Sequence, residues 1–240
     1  MPSASSAVQP LFRAVRAQRL YEQIAEQIED FIRANRLGLG DRLPSERELA
    51  EQFDVSRPSV REAMIALETA GLIEVRTGDG TFVRRVVPRG VPLLSWGHSD
   101  PGPGTLEQFQ ARKIVEPELA ALAASRIAAE DIAALRSAVQ EGAHCFARGE
   151  VADGADYSFH VRLAESSGNL ILAGVVRHLW ELRNHDMWRV LRARVVQPAH
   201  RVLVVEDRHH IIAACENRDA EAARTAMHRL LKRAEHRYFD

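Results

Sequence analysis

The sequence predicts a mainly α-helical chain in two parts: a small N-terminal unit of three helices closed by a β-hairpin, and a C-terminal all-α helical bundle. Three observations predict it. Apolar residues recur at helical spacing through most of the 240 residues. Only one stretch, LIEVRTGDGTFV at 72–83, alternates about a glycine turn in the manner of a hairpin. The run RRVVPRGVPLLSWGHSDPGPGT at 84–105 is too rich in proline and glycine to continue a regular element, and is the natural linker between two domains.

Composition narrows the function classes. The net charge of −1 advertises no bulk attraction to nucleic acid. A few arginines on one face can still provide it while acids elsewhere cancel them. Lys113 and Lys232 are the only lysines, so arginine supplies nearly all the positive charge. Its planar fork suits phosphates and guanine edges. Cys145 and Cys215 form no CxxC pair, which argues against a disulfide framework and fits a reducing cytoplasm. The N-terminus lacks the apolar core of a signal peptide, and no apolar run reaches membrane-spanning length. The expectation is a soluble cytoplasmic protein whose residues 1–16 form a flexible arm.

The elements follow in order. Leu20, Ile24, Ile28, Phe31 and Ile32 lie on one face of a first helix, ended by LGLGD. Ser45 and Glu48 make a capping box that starts a second helix from about 46 to 53. FDV allows a tight turn. Ser56 then caps a third helix that tolerates Pro58 in its first turn. Leu49, Phe53, Val55, Val60, Met64 and Leu67 supply a shared core. Gly71 suits a left-handed position beyond the helix end, with Leu72 closing over it.

Beyond the linker, Thr105 and Gln108 suggest a capping box, and Pro117 should kink or split the helix that follows. AAEDIAALRSAVQEGAHCFARG is amphipathic, and DGADYSFHVRLAESSGN closes near Gly168 and Asn169. LILAGVVRHLWELRNHDMWRVLRA and two later segments, the last capped by Asp219, bring the expectation to six or seven helices. No repeat of fixed period is present.

Helix, helix-turn-helix and hairpin are the order of a winged helix-turn-helix, whose second paired helix enters the major groove. Ser56, Arg57, Ser59 and Arg61 fall in the first turns of that helix. Hydroxyls and a helix N-terminus can hold phosphates, and arginines can read guanines. Arg47 on the preceding helix can reach a flanking phosphate or base. Gly78 and Gly80, with Thr77 beside them, let the wing approach a duplex closely.

LPSERELAEQFDVSRPSVREAMIALETAGLIEVRTGDGTFV closely resembles the DNA-binding domain of the GntR family of bacterial transcription regulators, over about residues 17–83. The resemblance rests on LPSER, the VSR opening of the recognition helix, its REA, and the GLI leading into the wing. It implies DNA contacts at Arg47, Ser56, Arg57, Ser59, Arg61 and Gly78. Pro58 departs from the threonine or small residue of many relatives, so this position donates no backbone hydrogen bond.

Residues 106–240, through RKIVEPELAALAA, DYSFHVRLAESSGN and IIAACENRDAEAARTAM, resemble the helical FCD effector-binding and dimerisation domain of the FadR subfamily. LWELRNHDMWRVL is similar to regulators of sugar-acid catabolism. Many members hold a divalent metal (zinc, nickel or manganese) through one Asp and three His. Asp156 and His160 match the first two ligands and lie four apart on one helix. Arg208 and Leu230 stand where the other histidines are expected, with His209 one residue and His228 two residues out of register. Two readings stay open: a metal held by Asp156, His160 and His209, or a metal-free pocket in which Arg112 and Arg208 meet an anionic effector beside the Asp156–His160 pair.

The leading expectation is a homodimeric, sequence-specific transcription regulator, a repressor. It would bind a near-palindromic operator in double-stranded DNA under control of a small organic acid, a sugar acid. The alternatives are a metal-dependent enzyme on the helical domain and an effector-independent architectural DNA binder. No nucleophile motif, HExxH or phosphate-binding glycine loop supports the enzyme.

Overall fold

The computed structural model describes residues 19–76, 78–84, 104–194 and 198–239. The expected arm, most of the expected linker and Thr77 lie outside them.

Three helices and a hairpin make the first unit: α1 (Leu20–Ala34), α2 (Glu46–Phe53), α3 (Arg57–Thr69), β1 (Ile73–Arg76) and β2 (Gly80–Val83). The caps are those the sequence predicts. Ser45 Oγ accepts from the Glu48 amide while Glu48 returns to the Ser45 amide, and Ser56 Oγ accepts from the Ser59 amide. Gly71 takes φ +73° just past α3, where a side chain would be strained. The strands pair antiparallel from Ile73 opposite Val83 to Arg76 opposite Gly80. Residues 41–43 run along the outer edge of β2, with the Leu43 amide donating to the Thr81 carbonyl.

The second unit contributes seven α-helices among the described residues: α4 (Thr105–Arg126), α5 (Ala129–Ala147), α6 (Asp153–Ser166), α7 (Leu170–Glu181), α8 (Asp186–Arg194), α9 (Pro198–Glu216) and α10 (Ala220–Phe239). Its main core is small and aliphatic, with Ala120, Ala123, Leu135, Phe159, Ile211, Ala223 and Leu231 buried together. Asp219 caps α10 as expected, accepting from the Ala222 amide.

Two local expectations are corrected. Pro117 does not split α4, which runs unbroken through it. The proline forgoes one helical hydrogen bond. Leu119, Ala120, Ala123 and Ala124 beside it are fully buried, so tertiary packing holds the helix together. Thr105 does not cap α4. Gly104 is the cap residue, the Thr105 hydroxyl donates to Glu62 of α3, and Gln108 accepts from the Trp188 indole. The stretch 170–194, expected only to be helical, forms two helices. A 3-10 turn at Leu182–Asn184 divides it into α7 and α8.

That turn has a large effect on the core. Met187, Trp188 and Leu191 of α8 are buried with Val60, Met64 and Leu67 of α3. Phe109 of α4 and Phe239 of α10 complete the same cluster. The N-terminal unit therefore does not bury its apolar faces alone: α4, α8 and α10 supply part of its interior.

Candidate functional site

Two regions gather the predicted site residues. The first is an open groove between α2, α3 and the wing, lined by Arg42, Arg47, Arg57, Arg61, Arg76, Gly78 and Gly80. Arg57 is exposed at the start of α3. Arg47 is exposed on α2, with only a long contact of 3.5 Å to Glu51. Gly78 sits at the wing tip with φ +79°. Sequence reasoning places Ser56, Arg57, Ser59 and Arg61 on one exposed turn, but only Ser56 and Arg57 are exposed there. Ser59 is buried, its hydroxyl 2.8 Å from that of Ser56. Arg61 keeps only 14% of its side chain exposed. Its Nε donates to Glu46 at 3.0 Å and its Nη1 to the Tyr238 carbonyl at 3.2 Å.

The second region is a cavity of about 120 Å3 inside the helical unit. Arg112, Asp156, His160 and Arg208, from α4, α6 and α9, all line it, as the metal-free reading expects. Arg183, Arg192 and Arg237 join them, together with Asp153 and Trp180.

Charge is arranged here in two clusters. In the first, Arg112 Nε donates to Glu116 at 2.5 Å, His160 Nδ1 lies 2.6 Å from the same carboxylate, and Trp180 donates to it at 3.3 Å. Burial alone would raise the Glu116 pKa, but Arg112 and then His160 overcome it and hold the carboxyl well below the usual range. Burial pushes His160 down to about 4, against the pull of Glu116, with Arg112 and Arg208 adding to the shift. A neutral His160 beside an ionised carboxylate donates through Nδ1, which leaves Nε2 as an acceptor.

In the second cluster, Arg208 Nη2 donates to Asp156 Oδ1 at 2.6 Å. Burial opposes ionisation of Asp156, but Arg208 and Arg183 outweigh it and lower its pKa. Arg192 pairs with Asp153 at 2.5 Å and also donates to the Arg183 carbonyl. Arg183 stacks over Trp180 at 4.3 Å and Arg208 over Phe159 at 5.1 Å. Among the described residues, the buried side-chain donors left without a partner are Arg183 Nε, Arg208 Nε, Arg208 Nη1 and Arg237 Nε. All of them belong to arginines of this one cavity. An unmet buried donor costs about 1–3 kcal/mol, more when charged, so their concentration marks a place built for an acceptor.

Comparison with known proteins matches residues 20–83 to the model described as bacterial regulatory proteins, gntR family, and residues 107–233 to the FCD domain. The chain belongs to the GntR family. It is a DNA-binding transcription regulator with an FCD domain, the organisation of the FadR subfamily. It is 34% identical over 224 residues to the Uxu operon regulator of Haemophilus influenzae, covering 92% of this chain and 83% of that protein. It is 30% identical over 205 residues to the HTH-type transcriptional regulator LutR of Bacillus subtilis, covering 81% of this chain and 91% of the relative. The HTH-type transcriptional repressor NanR of Salmonella newport is 35% identical over 167 residues, covering 68% of this chain and 64% of that protein.

The metal site found in many GntR proteins of this type finds no matching donor set here. The Asp156 carboxylate is held by the Arg208 guanidinium, a cation where a neutral imidazole would be needed. His160 keeps Nε2 open, but Leu230 presents an alkyl wall to the cavity where the resemblance puts a histidine. His209 is exposed and lines a different groove, with Arg136 and Val139. The expected set of Asp156, His160 and His209 is thus not brought together, because one residue along α9 is about 100° around its axis. Among the described residues, no group of three or more His, Cys, Asp or Glu is placed to hold a metal ion.

Sequence reasoning missed Arg183, Arg192 and Arg237 as cavity residues. No spacing links them to Asp156. Arg183 sits in the unexpected 3-10 turn, and Arg237 in the last turn of α10. Glu116 carried a readable signal, since it lies four residues after Arg112 on one helix face.

Proposed function

We propose that the cavity receives a small carboxylate effector of the sugar-acid type, directly and without a metal, and that its occupancy sets the affinity of the GntR reading head for DNA. The observation that carries this is the set of unpartnered guanidinium nitrogens on Arg183, Arg208 and Arg237. Arg208 Nε and Nη1 each keep a donor open that an anionic oxygen can take. His160 Nε2, as an acceptor, and the ionised Asp156 suit hydroxyl groups, so a polyhydroxylated acid fits better than a simple fatty acid. The likeness of LWELRNHDMWRVL to regulators of sugar-acid catabolism agrees with that class.

On the DNA side, Arg47 and Arg57 reach the duplex first, with Gly78 at the wing, Thr77 before it in the sequence, and Ser56 at the start of α3. Ser59 and Arg61 contact DNA once their present partners release them. The regulator acts in the cytoplasm as a homodimer on a near-palindromic operator, each copy reading one half-site. Exposed Ile114, Leu122, Leu170, Ile171 and Val175, on the mutually packed helices α4 and α7, supply the apolar face a second copy would cover. Repression is the sense supported by NanR, a relative named as a repressor.

A thermal-shift series tests the effector reading, using D-gluconate, D-glucuronate and acetate, with uncharged D-glucose as control, each with and without manganese. A ligand that binds only the folded protein raises its apparent stability. Stabilisation by a sugar acid, absent with glucose and independent of manganese, is the expected result. No shift with any acid, or a shift only with metal, overturns the reading.

A further inference from the structure

The recognition helix does not stand free of the helical domain. Two consecutive residues of α3, Arg61 and Glu62, each grip the end of a different cavity helix. Glu62 is 4% exposed, and its Oε1 accepts from the Thr105 hydroxyl at 2.8 Å and the Leu106 amide at 2.5 Å. These groups open α4, so a carboxylate satisfies amides left unpaired at a helix N-terminus. Gly104 permits the approach, since a Cβ there would stand 3.0 Å from Glu62 Oε2. Arg61 does the converse. It donates to the Tyr238 carbonyl in the last turn of α10, where helical carbonyls lack partners and the dipole is negative.

Both gripped helices carry cavity residues. Arg112 lies on α4, and Arg237 is the direct neighbour of Tyr238. Arg237 and Tyr238 line the effector cavity and also the open groove at the reading face. Tyr238 packs its ring against Phe109 at 5.7 Å and Trp188 at 5.3 Å, tying the last turn of α10 to the shared core. A ligand drawn to Arg237 Nε therefore acts one residue from the carbonyl that holds Arg61.

We propose that Arg61 and Glu62 form a two-ended clasp that holds the recognition helix against α4 and α10 in the ligand-free protein, that this clasp competes with DNA for Arg61, and that anion binding at Arg237 shifts the balance between the two. The link to Arg237 rests on the cavity being the effector site; the clasp itself does not. Arg61 is held by Glu46 and the Tyr238 carbonyl with only 14% of its side chain exposed, so it must leave those partners to reach a guanine or phosphate. DNA binding must then open the clasp, and anything that loosens the clasp favours DNA.

The test uses the full chain and a duplex selected by this protein from a random-sequence library, with affinity measured at fixed salt. Thr105→Val removes one donor to Glu62 without changing charge, and Glu62→Gln keeps the shape while removing the carboxylate. Neither residue is read as touching DNA or ligand. Losing a hydrogen bond of ordinary strength should tighten ligand-free DNA binding roughly two- to tenfold in each variant. The ligand-driven change in DNA affinity, with D-gluconate as probe, should shrink in parallel. Unchanged or weaker ligand-free binding by both variants overturns the clasp, and the neutral Thr105→Val separates this from simple removal of negative charge. Tighter DNA binding by the variants with no thermal shift from any acid keeps the clasp and overturns the effector reading alone.

Discussion

Arg208 on α9 and Asp156 on α6 meet at 2.6 Å inside the cavity, where many relatives by resemblance hold a metal between an aspartate and a histidine. The guanidinium supplies fixed positive charge at that point, and two of its nitrogens stay open for a ligand. The same pair serves the fold and the proposed chemistry. Arg208→Ala should abolish stabilisation by sugar acids. It should also lower folding stability by about 1–3 kcal/mol, since it leaves the part-buried Asp156 carboxylate without its partner. Arg208→Lys should restore most of the stability and little of the ligand response, because a single ammonium paired with Asp156 cannot also replace the open Nε and Nη1 donors. Urea titrations with and without D-gluconate read both effects, and equal ligand responses in wild type and Arg208→Lys would refute a role for these two donors.

Arg57 is the exposed arginine at the head of the recognition helix, so its removal should weaken operator binding without disturbing packing. If it reads a guanine, Arg57→Ala should cost about 1–3 kcal/mol in binding and relax specificity at one base-pair position. Folding stability should stay within about 0.5 kcal/mol of wild type. An unaltered affinity at fixed salt would remove this residue from the reading face.

His160 gives the pH dependence a definite sign. The folded protein keeps it neutral down to about pH 4, while the ordinary histidine value of 6.5 describes the unfolded chain. Between those values unfolding takes up a proton, so stability falls as pH falls, by up to the order of 3 kcal/mol. Glu116 and Asp156, held below their ordinary values, add to the loss as pH falls further. His160→Gln can still donate to Glu116 and should flatten the profile between pH 6.5 and pH 4. Parallel profiles for the two proteins would contradict this assignment.

Ile171 is 83% exposed and Leu170 75% exposed at the start of α7. If a second copy covers them, Ile171→Glu should convert a dimer to a monomer in light scattering at micromolar concentration, with helix content unchanged. A variant that remains dimeric places the contact elsewhere.

The local signals were the legible ones. Ser45 with Glu48, Ser56, Gly71 and Asp219 each fix a helix end through a neighbour within a few residues, and each acts as its sequence context predicts. Arg112, Asp156, His160 and Arg208 were traceable to one cavity because family likeness aligns three separate helices. What escaped depends on contacts distant in sequence. Thr105 looks like a cap but is claimed by Glu62, 43 residues earlier. Pro117 looks like a break but is overruled by the packing around α4. Arg61 looks like a free DNA reader, and nothing near it in sequence reveals the Tyr238 carbonyl, 177 residues away.

The burial of Met187, Trp188 and Leu191 against α3 sets a limit on exchanging the two halves of the chain. A hybrid joined anywhere in 84–105 would inherit a foreign α8 and a foreign α10 terminus, and with them mismatched fillers for the space behind Val60 and Met64. Transplanting the reading head onto another sensor therefore calls for carrying its counter-surface along: Phe109, the apolar side of α8 and Phe239 would travel with residues 20–83. The functional border of the DNA-reading module follows that packing, through segments scattered to the end of the chain, and does not coincide with the proline-rich stretch.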